Sequence, residues 1–147
     1  MLKGIHPLLT PDVLNALASM GHGDELAIVD ANFPSVSVGR RVVAVAGASA
    51  ADLLDAVLTL LPLDAGAPPA LTMAVTGDPE AIPEPVAEFA GVFAAHGLGD
   101  VEIGQLDRHQ FYARARDAFV VLRTGEMRPY GNILLVKGVV NQYPPAA

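Results

Sequence analysis

The run Leu26-Ala27-Ile28-Val29 constrains this chain more than any other stretch. Every residue is apolar, so a strand here has two faces to bury, as in sheets covered by helices on both sides. Its flanks are unusual. Met20-Gly-His-Gly-Asp-Glu25 leads in, with His22 between two glycines, and Asp30-Ala-Asn-Phe-Pro34 leads out from a carboxylate. Glycine on both sides keeps neighbouring side chains off the imidazole and permits backbone angles that other residues resist. Packing alone does not call for this pattern, which reads as half of an active site.

The remaining elements alternate around that strand. Thr10 and Pro11 start a helix with Val13, Leu14, Leu17 and Ala18 on its apolar face and Gly21 at its close. Asn32 to Gly39 reads as a loop and Val42 to Ala46 as a second strand. Ser49 with Asp52 resembles a capping box, opening a helix through Leu53, Leu54, Val57, Leu58 and Leu61 that Pro62 ends. After the loop Asp64 to Pro69, Leu71 to Val75 is a third strand and Gly77-Asp78-Pro79 a turn. Pro85 opens a helix with Val86, Phe89, Ala90 and Phe93 inward and Gly97 as its stop. Val101 to Ile103 is a short strand. Asp107 caps a helix from Arg108 to Arg116, with Phe111 and Ala115 marking its buried side. Phe119 to Leu122 and Ile133 to Val136 are the last strands, with the loop Thr124 to Asn132 between them.

This alternation predicts an α/β protein: a single three-layer α/β/α domain with a mostly parallel or mixed six-stranded sheet. The mixture is expected because no helix separates the last two strands. The domain is expected over residues 1–140, with 141–147 a tail that is loose or pinned at an interface.

Composition narrows the function. A formal net charge of -7 argues against nucleic acid or an anionic membrane as partner. Without cysteine there is no thiolate nucleophile and no zinc–thiolate site. Mean hydropathy is +0.40, yet the longest apolar run, around Ala56 to Leu63, is broken by Thr59 and Pro62. That is well short of the ~20 residues a membrane span needs. With no secretory signal pattern at the N-terminus, a cytoplasmic protein is expected. The low charged fraction, 17%, leaves apolar surface that suits burial between subunits.

Three polar clusters could carry chemistry. His22 with Asp30 offers a group that titrates near neutrality and a carboxylate; equally, such a histidine can cap a helix end and an aspartate can simply end a strand. Asp107-Arg108-His109 puts a cation in a helix's first turn, where the macrodipole disfavours it, although a lone arginine is by default solvated. Pro129-Tyr130-Gly131-Asn132 puts a hydroxyl and an amide on one side of an extended segment, or forms a β-turn. Together these groups match what a pyranose demands: neutral donors and acceptors for hydroxyls, one carboxylate and one titrating group. Val45-Ala46-Gly47-Ala48-Ser49 has one glycine where a dinucleotide fingerprint wants three. His6, His22, His96 and His109 lack metal-ligand spacing, and no metal or cofactor is expected.

These residues also resemble a known family. Met-Leu-Lys-Gly-Ile at the start, the two flanks of the first strand, Thr124-Gly-Glu and Tyr130-Gly-Asn-Ile-Leu-Leu are similar to the fucose mutarotase and ribose pyranase family, from residue 1 to about Gly138. Arg108 and Gly131 bring the chain closer to the fucose branch. The resemblance implies an isomerase that interconverts the anomers of free L-fucose, or else a ribose pyranase that changes the ring size of D-ribose. It implies His22 as the catalytic proton donor, with Asp30, Arg108, Tyr130, Gly131 and Asn132 around the sugar. Mutarotation adds a proton at the ring oxygen while one leaves the anomeric hydroxyl. General acid–base help of this kind contributes ~10²–10⁴-fold. Non-catalytic monosaccharide binding on the same fold is the alternative, needing the binding groups but not a titrating His22.

A geometric tension accompanies this expectation. Six extended residues from Glu25 to Asp30 span roughly 20 Å, too far for His22 and Asp30 of one chain to hold one sugar. Either the backbone near Gly23 folds back, or the site is completed across a subunit interface. The resemblance implies ring-like homo-oligomers, a decamer, with sites between neighbours.

Overall fold

Leu26, Ala27, Ile28 and Val29 are all fully buried, in a strand with sheet partners on both edges and helices over both faces. The computed structural model describes residues 1–144. Its elements in chain order are α1 (Pro11–Ser19), β1 (Glu25–Val29), α2 (Ser35–Val38), β2 (Val42–Val45), α3 (Ala50–Leu58), β3 (Ala70–Met73), α4 (Glu84–Ala95), β4 (Ile103–Leu106), α5 (Arg108–Asp117), β5 (Val120–Thr124) and β6 (Ile133–Val136). They build one six-stranded sheet in the order β2-β5-β1-β6-β3-β4. The β1–β5, β2–β5 and β3–β4 pairs are parallel, and β6 runs antiparallel between β1 and β3. Five strands therefore point one way and β6 the other.

Alternation along each strand divides the core into two layers. Leu26 and Ile28 of β1, with Val120, Leu122, Ile133 and Leu135, face α1, α3 and α4 through Val13, Leu17, Leu53, Leu54, Val57, Phe89 and Phe93. Ala27 and Val29, with Val121, Leu134, Leu71 and Met73, face α2 and α5 through Val38, Phe111 and Ala115. The expected three-layer α/β/α domain with a mixed sheet is the observed one.

Local signals act as chemistry dictates. The Thr10 hydroxyl accepts from the Val13 N–H and the Ser49 hydroxyl from the Asp52 N–H. Asp107 and Gln110 form a full capping box, and Gly97 ends α4 in the left-handed region at φ 69°. Several details differ from expectation. Asn32 to Gly39 contains the short helix α2. The strand sought at Val101 to Ile103 lies at Ile103–Leu106, because its pairing with β3 selects Gly104 and Gln105 over the more hydrophobic residues before them. Helix α3 ends at Leu58, and Leu61 is buried beyond it. Ala18 and Ala90 face solvent; methyl groups there cost little, while Ala16 takes the inward place on α1. Of the tail, residues 141–144 are exposed without regular structure, and 145–147 lie outside the described residues. No helix among the described residues is long and apolar enough to cross a membrane.

Candidate functional site

The five parallel strands share one carboxyl end, and a crevice lined by polar and aromatic side chains lies there. In open α/β sheets ligands bind outside the carboxyl ends of strands, where the strand order switches. Here the switch is created by β6. Asp30 leaves the end of β1, Met73 closes β3, Arg108 opens α5 just beyond β4, and Asn132 precedes β6. These four, with Asn32, Phe33, Tyr112, Pro129 and Tyr130, line a cleft of ≈ 250 Å³. Phe33 meets Phe111 and Tyr112 edge-on at ring separations of 5.9 Å and 4.9 Å. Phe33 and Tyr112 thus give the cleft an aromatic part to its wall.

Asp30 is the electrostatic focus. Only 6% of it is exposed, and burial pushes its carboxyl above the ordinary value near 3.8. Hydrogen bonds from Asn32, Phe33 and Asn132 oppose that push, while the charge of Glu126 adds to it. Its Oδ1 accepts from the Asn32 N–H at 3.0 Å, and its own N–H donates to Asn132 Oδ1 at 2.9 Å. A carboxylate held this way costs the fold free energy, which marks a candidate site.

Tyr130 and Asn132 share the cleft, but not through an extended segment. Tyr130 adopts a left-handed backbone at φ 62° in the Pro129-Tyr130 turn, while Asn132, just before β6, accepts the Asp30 N–H. Gly131 is buried behind them: a Cβ there would lie 2.7 Å from Glu126 Cγ. The β-turn and the shared cleft, alternatives in sequence, coexist.

His22 is elsewhere. It sits ahead of β1, at the amino end of the parallel strands, where Gly23 turns at φ 84° and its N–H donates to the Lys137 carbonyl at 2.9 Å. The His22 Nε2 lies 3.0 Å from Asp64 Oδ1, with 61% of the imidazole exposed. That hydrogen bond, before the charge interaction, holds the Asp64 carboxyl below its usual range. The backbone does not fold back at Gly23, since β1 is paired along its whole length. One chain therefore gathers Asp30, Arg108, Tyr130 and Asn132, with Gly131 behind them, and keeps His22 at the opposite end of the sheet.

Sequence reasoning missed the groups that support the cleft. Glu126, 4% exposed, accepts from the Arg128 side chain and N–H and from the Ala50 N–H at the start of α3. Arg128 also grips Glu88 with two nitrogens, at 2.7 Å and 2.9 Å. Arg128 holds the Glu126 carboxyl down to about 2. The Thr124 hydroxyl donates to the Val29 carbonyl at 2.8 Å and accepts from the Glu126 N–H at 3.1 Å. A Cβ on Gly125 would lie 2.1 Å from the Ala46 carbonyl oxygen. Thr124-Gly125-Glu126 is thus a brace between β1, α3 and the Tyr130 loop; the signal for it was the motif itself, read without a role. Among the described residues no group of three or more His, Asp or Glu gathers as a metal site.

Fold and cleft together define an α/β protein with a polar pocket at a strand-order switch. The chain belongs to the RbsD / FucU transport protein family, whose pattern it matches over residues 3–140. It is 38% identical to a fucose mutarotase from Streptococcus pneumoniae solved in complex with L-fucose, covering 95% of this chain and 99% of that one, with a TM-score of 0.87. It is 41% identical to FucU from Bifidobacterium longum, over 94% and 99% of the two chains, with a TM-score of 0.85. RbsD from Bacillus subtilis, solved with D-ribose, shares the fold at 24% identity and a TM-score of 0.71, over 95% and 98% of the chains.

Proposed function

We propose that this protein is a cytoplasmic sugar mutarotase that interconverts the α and β anomers of L-fucose by acid–base chemistry of its own side chains. The reading is carried by the convergence of Asp30, Arg108, Tyr130 and Asn132 on one small cleft, in a chain 38% identical to a fucose mutarotase crystallised with L-fucose. The cleft suits a single sugar ring. Its donors and acceptors match hydroxyls, and Asp30 supplies a carboxyl biased toward proton exchange. The higher identity to the fucose-type relatives, 38% and 41% against 24% for RbsD, favours L-fucose over D-ribose.

His22 is the proposed proton donor. Its separation from Asp30 within one chain supports a site shared between copies: the cleft of one protomer receives His22 from its neighbour in a ring-like homo-oligomer, a decamer. Protonation of the ring oxygen and removal of the anomeric hydroxyl proton open the ring to the aldehyde. The aldehyde turns and closes with either configuration. No covalent intermediate is needed.

Saturation-transfer proton NMR on equilibrated L-fucose tests the reading. Irradiating the α anomeric signal transfers saturation to the β signal at a rate that rises with protein. Transfer with D-ribose alone moves the protein to pyranase chemistry, and line broadening without transfer for either sugar leaves a binding protein.

A further inference from the structure

Gly77-Asp78-Pro79 does more than reverse the chain between β3 and α4. Val75 and Asp78 form an antiparallel bridge, closed by the Asp78 N–H donating to the Val75 carbonyl at 3.1 Å. Gly77 supplies the left-handed angle, φ 83°, that this tight turn requires. The turn presents the Thr76 N–H to the Tyr130 hydroxyl oxygen at 3.1 Å.

The direction of that bond decides what the phenol can do. A backbone N–H only donates, so the Tyr130 oxygen accepts here and its own proton is left for another partner. Tyr130 lines the cleft with Asp30, Arg108 and Asn132. Two further observations show the phenol to be held rather than resting there. Its backbone occupies the left-handed region, which a non-glycine residue keeps only when its surroundings over-determine it. Behind it, Gly131 is packed so closely on Glu126 that no Cβ fits without displacing that side chain. Backbone strain at one end and hydroxyl capture at the other fix the ring between them.

We propose that Thr76 is a positioning residue of the cleft: its N–H fixes the Tyr130 phenol as a hydrogen-bond donor, so that this point reads an acceptor oxygen of the bound monosaccharide. The sugar comes from the function proposed above; the fixed phenol does not depend on it. Thr76 contributes foremost through its backbone N–H, and its side chain adds to the effect on the phenol. A site with a fixed donor discriminates against an analogue that lacks the matching oxygen, because the donor is then left without a partner. Consistent with this geometry, the Thr76 N–H foremost, then the Thr76 side chain and, more weakly, the Arg108 charge draw the Tyr130 phenol below the ordinary phenol range, against the opposing effect of burial.

The sequence makes the test direct, since it holds three tyrosines and no tryptophan. Tyrosinate absorbance in an alkaline titration is expected to show one phenol ionising early. That step disappears in Tyr130→Phe and moves to higher pH in Thr76→Pro, which deletes the N–H and the hydroxyl, by more than in Thr76→Val, which deletes the hydroxyl alone. Exchange of L-fucose anomers slows about five- to tenfold in Thr76→Pro, as for one lost hydrogen bond. An early step that survives in Tyr130→Phe, or stays in place in a folded Thr76→Pro, overturns the proposal. Should Thr76→Pro fail to fold by circular dichroism, amide hydrogen exchange of Thr76 in Tyr130→Phe decides. Faster exchange than in the unmodified protein supports the bond, and an unchanged rate overturns it. If the titration behaves as expected but no sugar exchanges even in the unmodified protein, the fixed phenol stands and only its sugar partner is refuted.

Discussion

The N–H of Asp30 donates to the side-chain oxygen of Asn132 at 2.9 Å, joining the end of β1 to the start of β6 across 102 residues of sequence. It lies just beyond the antiparallel β1–β6 ladder, whose last pair is Ile28 with Ile133. One amide therefore satisfies a buried backbone donor and faces the cleft. Replacing Asn132 with Ala leaves that donor unpaired, at a cost of about 1–3 kcal/mol. Urea unfolding should show that loss, and titration with L-fucose should show weaker binding from the same substitution.

Asp30 is predicted to trade stability for function. Its folded carboxyl is held above the ordinary value, first by burial and further by Glu126. The sign follows from linkage: this group's stabilising contribution is complete below its unfolded value near 3.8 and is lost as pH rises through the raised folded value. At neutral pH the charged Asp30 is a burden on the fold. Asp30→Asn keeps the acceptor for the Asn32 N–H and removes the charge. Its thermal midpoint should exceed that of the unmodified protein at pH 7, with the difference shrinking toward pH 3. Anomer exchange should fall about 10²-fold or more. A variant less stable at pH 7 would contradict the electrostatic account.

Strand β6 shows how far the sequence can be read. Ile133 to Val136 is legible as a strand from its apolar run, and the missing helix before it signals a mixed sheet. Its insertion between β1 and β3 is not legible, because strand order depends on long-range pairing that local periodicity does not carry. The site divides likewise. Asp30, Arg108, Tyr130 and Asn132 stand out by residue type and motif. Their convergence needs β1, β3 and β4 to end at one level. Glu126 and Arg128 look like solvated loop charges until α3 and the Tyr130 loop bury the first against the second. Thr76 acts foremost through a backbone N–H, for which residue identity offers no signal.

The brace at Glu126 predicts an acid-sensitive fold. Arg128 holds this nearly buried carboxyl down to about 2, from an ordinary value of 4.5. A depressed folded value stabilises above the unfolded value and is lost as pH falls, here through the window from 4.5 to about 2. The contribution at neutral pH is of the order of 3 kcal/mol. Glu126→Gln should lower the neutral-pH stability by roughly that much and flatten the acid limb of the stability curve. Because the Ala31 N–H donates to the Glu126 carbonyl at 2.8 Å, that backbone bond is retained in the variant, so Asp30 should stay in place. Sugar affinity should then fall less than stability.

A site shared between copies predicts complementation. His22→Ala removes an exposed side chain that, among the described residues, pairs with Asp64, so its stability should change little while anomer exchange falls by ~10²–10⁴-fold. Asp30→Asn spoils the cleft and leaves His22 untouched. Each variant alone is predicted inactive. When the two are unfolded together and refolded as mixed assemblies, some interfaces pair an intact cleft with an intact His22 from the neighbouring copy, and those sites recover. If both groups had to come from one chain, no mixture of these variants could contain a complete site. Recovery of exchange in the co-refolded sample, and none on simple mixing of preformed assemblies, is the expected pattern. No recovery in co-refolded assemblies that demonstrably contain both variants would refute the shared site.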